Sequence, residues 1–210
     1  MRVRPVEAVA LFALLLSPLV GCGSADQTPP GESAGFLGDT SQLRPGRGDQ
    51  AQLLYIDPEA DFSPYLNVIV DPVVVWHGKG SNFSDVTPEE LDSLARSLES
   101  SMREELAHEF QVLDEPAPGT LRLRIALVEL KSLGGSGADV VGSVALELEI
   151  LDAVSGRRLV AVADSRGQGA GDADATDVRA AFDEWAKRAR DRLATFRDFD
   201  AAHASGAASP

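Results

Sequence analysis

The sequence predicts an α+β domain in which two helices pack on one face of a mixed or mainly antiparallel sheet of about four strands. Two observations predict it. Apolar residues alternate with polar ones in some segments, which is typical of half-buried strands, and recur every three or four residues in others, which is typical of amphipathic helices. The predicted order is β-α-β-β-β-α, a two-layer architecture.

The first strand and the first helix are adjacent in the chain. Residues 66–76 are rich in Val and Ile, which predicts a buried strand that is interrupted or bulged at Asp71-Pro72. Thr87-Pro88-Glu89-Glu90 then predicts a helix start with a capping box. The helix should end near Phe110, and its apolar stripe should contact the sheet through Leu91, Leu94, Leu98, Met102 and Leu106.

Three further strands and a second helix follow. Residues 121–127 and 144–150 alternate apolar with polar or small side chains, and Gly134-Gly135-Ser136-Gly137 between them predicts a loop. Val154-Ser155-Gly156 predicts a hairpin turn into a strand at 158–163. The last helix should run from about Asp177 to Phe196, with a stripe formed by Val178, Phe182, Trp185, Ala189, Leu193 and Phe196.

The N-terminus has the pattern of a bacterial lipoprotein signal. Arg2 and Arg4 precede 13 residues (8–20) that are mostly apolar, too few for a permanent membrane span, which needs roughly 20. Leu19-Val20-Gly21-Cys22 then places the only cysteine of the chain at the end of a lipobox. We expect cleavage between Gly21 and Cys22 and a diacylglycerol on the thiol of Cys22. The alternative is an ordinary signal peptide with a cysteine nearby by chance.

These features divide the chain into four parts. Residues 1–21 are the predicted signal peptide, and residues 22–34, rich in Gly, Ser, Pro and acids, are a predicted flexible tether. Residues 35–197 are long enough for one domain with a single core. Residues 198–210 are predicted to form a disordered tail.

The charge of the chain limits its partners. The formal net charge is −14, and removal of the signal, with Arg2, Arg4 and Glu7, leaves about −15. Such acidity argues against non-specific binding of nucleic acid and against docking on anionic lipid. Attachment to the membrane is therefore expected through N-terminal acyl chains. Gly23, rather than Asp, after Cys22 favours the periplasmic face of the outer membrane.

Several segments resemble the proteobacterial lipoprotein family of the domain of unknown function 3313 (DUF3313), over most of residues 35–197. The resemblance implies a lipid-anchored envelope protein, and it brings no known activity, cofactor or catalytic residue. The resembling segments are Gly35-Phe36-Leu37 with Ser41 and Leu43, Tyr55-Ile56-Asp57-Pro58, Asp61-Phe62-Ser63, Val70-Asp71-Pro72-Val73 with Trp76, Glu147–Asp152 with Ser155-Gly156, and Ala180, Phe182, Trp185 and Ala186.

Catalytic and metal-binding patterns are weak. His77 is the one histidine placed to act as a general base, near Asp71 and Ser81, and a surface histidine at a strand end is the commoner case. No zinc-ligand spacing is present, so neither a metal nor a cofactor is predicted. Asp172, Asp174 and Asp177 resemble the start of a calcium loop, yet Asp177 replaces the turn glycine. A solvated acidic loop that caps the last helix is the simpler interpretation.

The segment 35–61 carries many apolar side chains without a helix or strand period. It must either pack against its own domain or contact a partner, because an uncovered apolar patch of this size indicates an interaction site. The candidate partner surface consists of Phe36, Leu37 and Tyr55 from this segment, together with Phe62, which directly follows it.

The sequence therefore favours a non-enzymatic, lipid-anchored periplasmic module that binds an envelope protein partner or helps to assemble the envelope. One alternative is an auxiliary lipoprotein of an envelope transport system. The other is a hydrolase that uses His77. The sequence does not define the oligomeric state.

Overall fold

The computed structural model describes residues 35–132, 140–167 and 176–207. Over these residues the chain forms one sheet of ten strands and two helices, α1 (Pro88–Leu106) and α2 (Val178–Ala207). The strands are β1 (Arg44–Pro45), β2 (Leu53–Ile56), β3 (Asn67–Val70), β4 (Val74–Val75), β5 (Asn82–Ser84), β6 (Gln111–Val112), β7 (Thr120–Ser132), β8 (Val140–Asp152), β9 (Arg158–Gly167) and β10 (Thr176–Asp177).

The sheet is mixed, with the order β1-β2-β9-β8-β7-β3-β6. In this order, each neighbouring pair among β1, β2, β9, β8 and β7 is antiparallel. Strand β3 lies parallel to both of its neighbours, β7 and β6. Strands β4 and β5 continue along β7 beyond β3, also in parallel, and β10 pairs with β8. The three short strands β3, β4 and β5 thus act as one interrupted strand beside β7.

The predicted sheet of about four strands is wrong in its strand count, although the fold is α+β. The predicted strands correspond to β7, β8, β9 and the pair β3–β4, which is interrupted at 71–73 as expected. Strands β5, β6 and β10 have two or three residues, too few for a period to show. Strand β1 has only two residues, and the half-buried Leu-Leu-Tyr-Ile of β2 has no polar alternation, so neither strand was predicted.

Helix α1 begins as the capping box predicts. Thr87 has extended backbone angles, its hydroxyl accepts from the amide of Glu90, and the Glu90 carboxylate accepts from the amide of Thr87 at 2.8 Å. These bonds satisfy amides that have no partner within the helix. The helix ends at Leu106, four residues before the predicted end at Phe110.

Helix α2 begins at its predicted position and is longer than predicted. The carboxylate of Asp177 accepts from the amides of Arg179 and Ala180, so Asp177 caps the helix as the sequence suggested. The helix continues to Ala207, so residues 198–207 are helical and not part of a disordered tail. The helix still contacts the domain beyond Phe196, because the Asp200 carboxylate accepts from the amide of Phe62 at 2.7 Å.

Both helices pack on one face of the sheet, where a single hydrophobic core forms. Leu98 and Leu106 of α1 and Phe182 of α2 are buried against Leu123 and Leu148 of the central strands. A bulge in β7 at Val128 shifts the register between Leu127 and Glu129. After it, Leu130 continues the core face, because the extra residue reverses the alternation.

The opposite face of the sheet, which we call the second face, is partly covered by a segment of the chain that contains no helix. Residues 35–43, here called the strap, lie across this face, and Leu37 is buried there. Phe36 packs edge-on against Trp76 with 5.8 Å between ring centroids. An antiparallel sheet commonly leaves one face to solvent. Here the strap covers part of that face, where Ala126 and Val128 form a small apolar cluster.

Several sequence predictions lie outside the described residues. They are the signal peptide at 1–21, the lipidation site Cys22, the tether at 22–34, the loop Gly134–Gly137, Asp172 and Asp174, and residues 208–210. Within the described residues, no helix combines the length and the apolar character that crossing a bilayer requires.

Candidate functional site

An apolar cleft lies between α2 and the part of the sheet formed by β2, β9 and β8. Its volume is about 180 Å³. Leu54, Val162 and Leu148 contribute from three neighbouring strands, and Ala189 and Leu193 contribute from the helix. Protein interiors rarely leave a void larger than a water molecule. The cleft is therefore a candidate binding site.

Strand alternation and one small helical residue explain why the cleft forms. Val160, Val162 and Asp164 of β9 all point to the core face because side chains two residues apart lie on the same side of a strand. On the helix, Ala189 lies one turn from both Trp185 and Leu193. A methyl group between two larger side chains leaves the space that the cleft occupies.

A buried carboxylate closes one end of the cleft. Asp164 Oδ2 accepts from Trp185 Nε1 at 2.8 Å and pairs with Arg166 Nη1 at 2.8 Å, and Asp164 Oδ1 accepts from the amide of Gln52 at 3.1 Å. Arg166 also lies over the Trp185 ring, 5.6 Å from its centroid. Burying a charge is costly unless it is paired and hydrogen-bonded. These partners meet that need and fix the helix against the edge of the sheet.

Two arginines and an aspartate lie at the open side of the cleft. Arg188 and Arg192 are one helical turn apart, and the loop 46–51, which we call the mouth loop, faces them. Arg192 Nη2 lies 2.6 Å from Asp49 Oδ2, and Arg188 Nη1 donates to the backbone oxygen of Asp49 at 3.3 Å. Arg188 also pairs with Glu184. These contacts hold the mouth loop beside the cleft.

The chemistry of the cleft suits binding. Its walls are mostly aliphatic and aromatic, its buried acid is fully engaged with partners, and its cations lie at the rim. Small-molecule sites typically combine an apolar interior with a few placed polar groups. The cleft can therefore hold an apolar group and present guanidinium groups to a polar or anionic one.

The residues proposed from the sequence as a partner surface do not form one exposed surface. Leu37, in the strap, is buried against the second face, whereas Phe62 is buried on the core face, with its ring centroid 5.3 Å from that of Phe196. Phe36 and Tyr55 are half-buried. The apolar side chains of the segment are divided between the two faces of the sheet. The segment therefore packs largely against its own domain.

The structure offers no support for catalysis at His77. The ring is exposed and packs edge-on against Phe83, with 5.2 Å between centroids. Among the described residues no hydroxyl or carboxylate hydrogen-bonds to it. Among the same residues, no group of three or more His, Cys, Asp or Glu side chains is arranged to hold a metal ion.

The polar residues of the cleft were not predicted from the sequence. One available signal was Asp164, a charged residue at a core-facing position directly after Val160 and Val162 in the alternation of β9. Another was the pair Arg188 and Arg192, spaced by four beside the apolar stripe of α2. Asp49 gave no signal, because its role depends on how the mouth loop meets the helix.

A protein-family model matches most of the chain. The model of the family described as "Protein of unknown function (DUF3313)" matches residues 32–189. A comparison with curated proteins returns no match.

Solved structures that are similar to this chain have low sequence identity to it. The PelC dodecamer from Paraburkholderia phytofirmans is 18% identical, with 69% of this chain and 94% of that chain covered and a TM-score of 0.39. Protein XCC0632 from Xanthomonas campestris, of the DUF330 family, is 15% identical, with 72% and 94% covered and a TM-score of 0.38. Lipoprotein GNA1162 from Neisseria meningitidis is 12% identical, with 52% and 85% covered and a TM-score of 0.34.

Proposed function

The chain belongs to the DUF3313 family, and from that premise we propose that it is a lipid-anchored protein of the bacterial cell envelope that acts by binding and not by catalysis. The observation that carries the binding function is the apolar cleft between α2 and the β2–β9 edge. A well-formed apolar pocket with a few convergent polar groups is the default location for a ligand.

The anchor in this proposal is Cys22, cleaved from Gly21 and acylated. The support is the lipobox Leu19-Val20-Gly21-Cys22 behind a short apolar run. Acyl chains supply about 0.8 kcal/mol per buried CH₂, so two or more chains give stable attachment without a contribution from the acidic protein surface. Gly23 after the cysteine supports an outer-membrane destination.

Labelling with a radioactive fatty acid in the producing cell tests the anchor. Cys22→Ser should abolish acyl labelling and block cleavage before position 22, whereas Ser24→Ala, two residues away, should leave both unchanged. Gly23→Asp should move the labelled protein from the outer- to the inner-membrane fraction. Unchanged labelling and membrane fractionation of the Cys22→Ser protein would refute the anchor.

Photo-crosslinking in the cell tests the binding site. A benzophenone amino acid at position 196, where an aromatic side chain already lines the cleft, should give a crosslinked product. The same group at position 201, an exposed alanine on the same helix, should not. Absence of a specific product at position 196 would contradict binding in the cleft.

The cleft also favours one alternative, an auxiliary lipoprotein of an envelope transport system. An apolar site beside the membrane could hold a molecule in transit, whereas an assembly module would need a protein partner. Purification of the lipidated protein with stably associated inner-membrane transport components would favour this alternative. Recovery of the protein without such components would favour the simple binding module.

A further inference from the structure

We propose that the cleft binds the acyl chain of a single-chain anionic amphiphile, with the carboxylate or phosphate of its head group at Arg192 and Arg188. The proposal rests on the binding function assigned above and names the class of ligand. Three properties of the cleft carry it: its elongated shape, its apolar walls and the cations at its rim.

The shape of the cleft suits a linear chain. Along the helix it extends from Trp185 to Phe196, about 16 Å at a rise of 1.5 Å per residue. On the sheet its walls follow the registered rows Leu54–Val162–Leu148 and Ile56–Val160–Ile150. The volume of the cleft is only about 180 Å³ over this length. A long and narrow space of this kind fits a row of methylene groups better than a compact ring system.

The walls of the cleft disfavour a polar ligand. Aliphatic side chains line its length, and the indole N–H of Trp185 is already donated to Asp164 at 2.8 Å. A sugar or an extended peptide in this space would bury hydroxyl or amide groups without partners, which is costly. An alkyl chain has no such groups to satisfy.

The rim supplies the charge complementarity for an anionic head. Arg188 and Arg192 lie on the same side of α2, and the Asp49 carboxylate occupies the position beside Arg192 that a ligand anion would take. This ion pair is open to water, because the side chains of Arg192 and Asp49 are 47% and 79% exposed. Exposed ion pairs contribute little stability, so a head group can replace Asp49.

The two tryptophans of the chain make the proposal directly testable. Trp185 lines the cleft, whereas Trp76 packs with Phe36 on the second face. The lipidated full chain would be anchored in phosphatidylcholine vesicles and titrated with a fatty acid brominated at its terminal carbon, which quenches nearby indole fluorescence. The Trp76→Phe protein, which reports Trp185, should show saturable quenching. The Trp185→Phe protein, which reports Trp76, should not.

Substitutions at the wall and rim separate the parts of the proposal. In the Trp76→Phe background, Ala189→Leu should fill the cleft and abolish saturable quenching, whereas Ala201→Leu on the exposed side of α2 should not. Arg192→Gln should weaken binding roughly tenfold, the loss expected for a charge-assisted hydrogen bond. Asp49→Asn should strengthen binding, because the competing carboxylate is removed.

Specific results would overturn the proposal. Equal quenching of Trp185 and Trp76 would show simple partition into the vesicle. Saturable binding that Ala189→Leu leaves unchanged would place the ligand elsewhere. Equal affinity for the matching brominated alcohol would refute the anionic head group. A protein crosslinked at position 196, without saturable quenching of Trp185, would keep the binding function and reject the amphiphile.

Discussion

The backbone amide of Leu37 donates a hydrogen bond to the carboxylate of Glu147, with 3.1 Å between N and Oε2, and both residues are buried. Arg158 extends this connection. It donates to the backbone oxygen of Leu37 at 2.5 Å and to Glu149 Oε2 at 2.9 Å. The strap is therefore attached to the sheet through two buried glutamates, and the polar residues of β8 organise the second face.

Removing the carboxylate of Glu149 should destabilise the domain. Arg124 and Arg158 both pair with it, at 2.5 and 2.8 Å, and its side chain is only 4% exposed. Glu149→Ala would leave two guanidinium groups without their buried acceptor and would loosen the strap. We expect the free energy of unfolding to fall by about 2 kcal/mol, the usual cost of removing one partner of a charged hydrogen bond. Urea denaturation followed by circular dichroism measures it.

Glu184→Ala is the matched control for this prediction. Glu184 also pairs with an arginine, Arg188, but the two side chains are 50% and 38% exposed. Exposed pairs contribute roughly 0–1 kcal/mol, and alanine is the best helix former. An equal loss of stability in the two variants would show that burial does not strengthen the Glu149 cluster.

Leu98 should be among the most costly positions at which to truncate a side chain. It is fully buried between α1 and the sheet, within the single core of the domain. Leu98→Ala should lower the free energy of unfolding by about 2–5 kcal/mol, because it removes buried methyl groups and leaves a cavity. Leu66→Ala is the control, since Leu66 is 61% exposed. A similar change in both variants, measured by thermal unfolding, would contradict the assigned core.

The parts of the fold that the sequence predicts correctly are those with a long hydrophobic period. The stripe of α1 and the alternation of β7 and β8 extend over enough residues to be visible in the sequence. The start of each helix is also predictable, because Thr87 and Asp177 supply caps whose chemistry is local.

The rest of the fold depends on contacts between segments that are distant in the chain. Glu147 occupies a polar position in the alternating pattern of β8, which predicts exposure to solvent. The side chain is buried because the strap, more than a hundred residues away in the chain, covers it. The mouth of the cleft likewise needs Asp49 and Arg192 to meet across 143 positions. Local pattern does not encode such pairings, so the sequence indicated the candidate cleft only through Asp164 of β9 and the pair Arg188 and Arg192 of α2.

Tyr65 should titrate at unusually high pH. Burial, followed by the hydrogen bond from its hydroxyl to Asp152 Oδ2 at 2.9 Å, raises the pKa of Tyr65 to about 12. The neutral phenol is therefore favoured in the folded state. Its contribution to stability is complete below the ordinary tyrosine pKa of about 10 and is lost as the pH rises from there to about 12. The ultraviolet absorbance of tyrosinate measures the titration.

Only two tyrosines are present, so Tyr55→Phe isolates the signal of Tyr65. In that background, Asp152→Asn should lower the pKa of Tyr65, because the charge of Asp152 and its hydrogen bond both raise it. Burial alone should keep part of the shift. If Tyr65 in the Tyr55→Phe protein, with Asp152 intact, titrated near the ordinary tyrosine pKa, the result would contradict a buried, hydrogen-bonded Tyr65.

Two glycines with similar backbone angles should respond differently to alanine. Gly119 and Gly156 have φ of +69° and +73°, which disfavours any side chain. A Cβ on Gly119 would lie 2.6 Å from the backbone oxygen of Pro64, whereas a Cβ on Gly156 would meet nothing within 4 Å. Gly156→Ala should therefore cost about 1–2 kcal/mol, from backbone strain alone.

Gly119→Ala should cost at least about 2 kcal/mol more than Gly156→Ala, because the backbone must also move to relieve the clash. The movement would disturb the Gly119 oxygen, which accepts from the amides of Leu66 and Asn67 at 3.1 and 3.2 Å at the start of β3. The effect of alanine on the unfolded chain is similar at both sites and cancels in the comparison. Equal shifts in thermal midpoint would show that Pro64 does not approach Gly119 as closely as the structure has it.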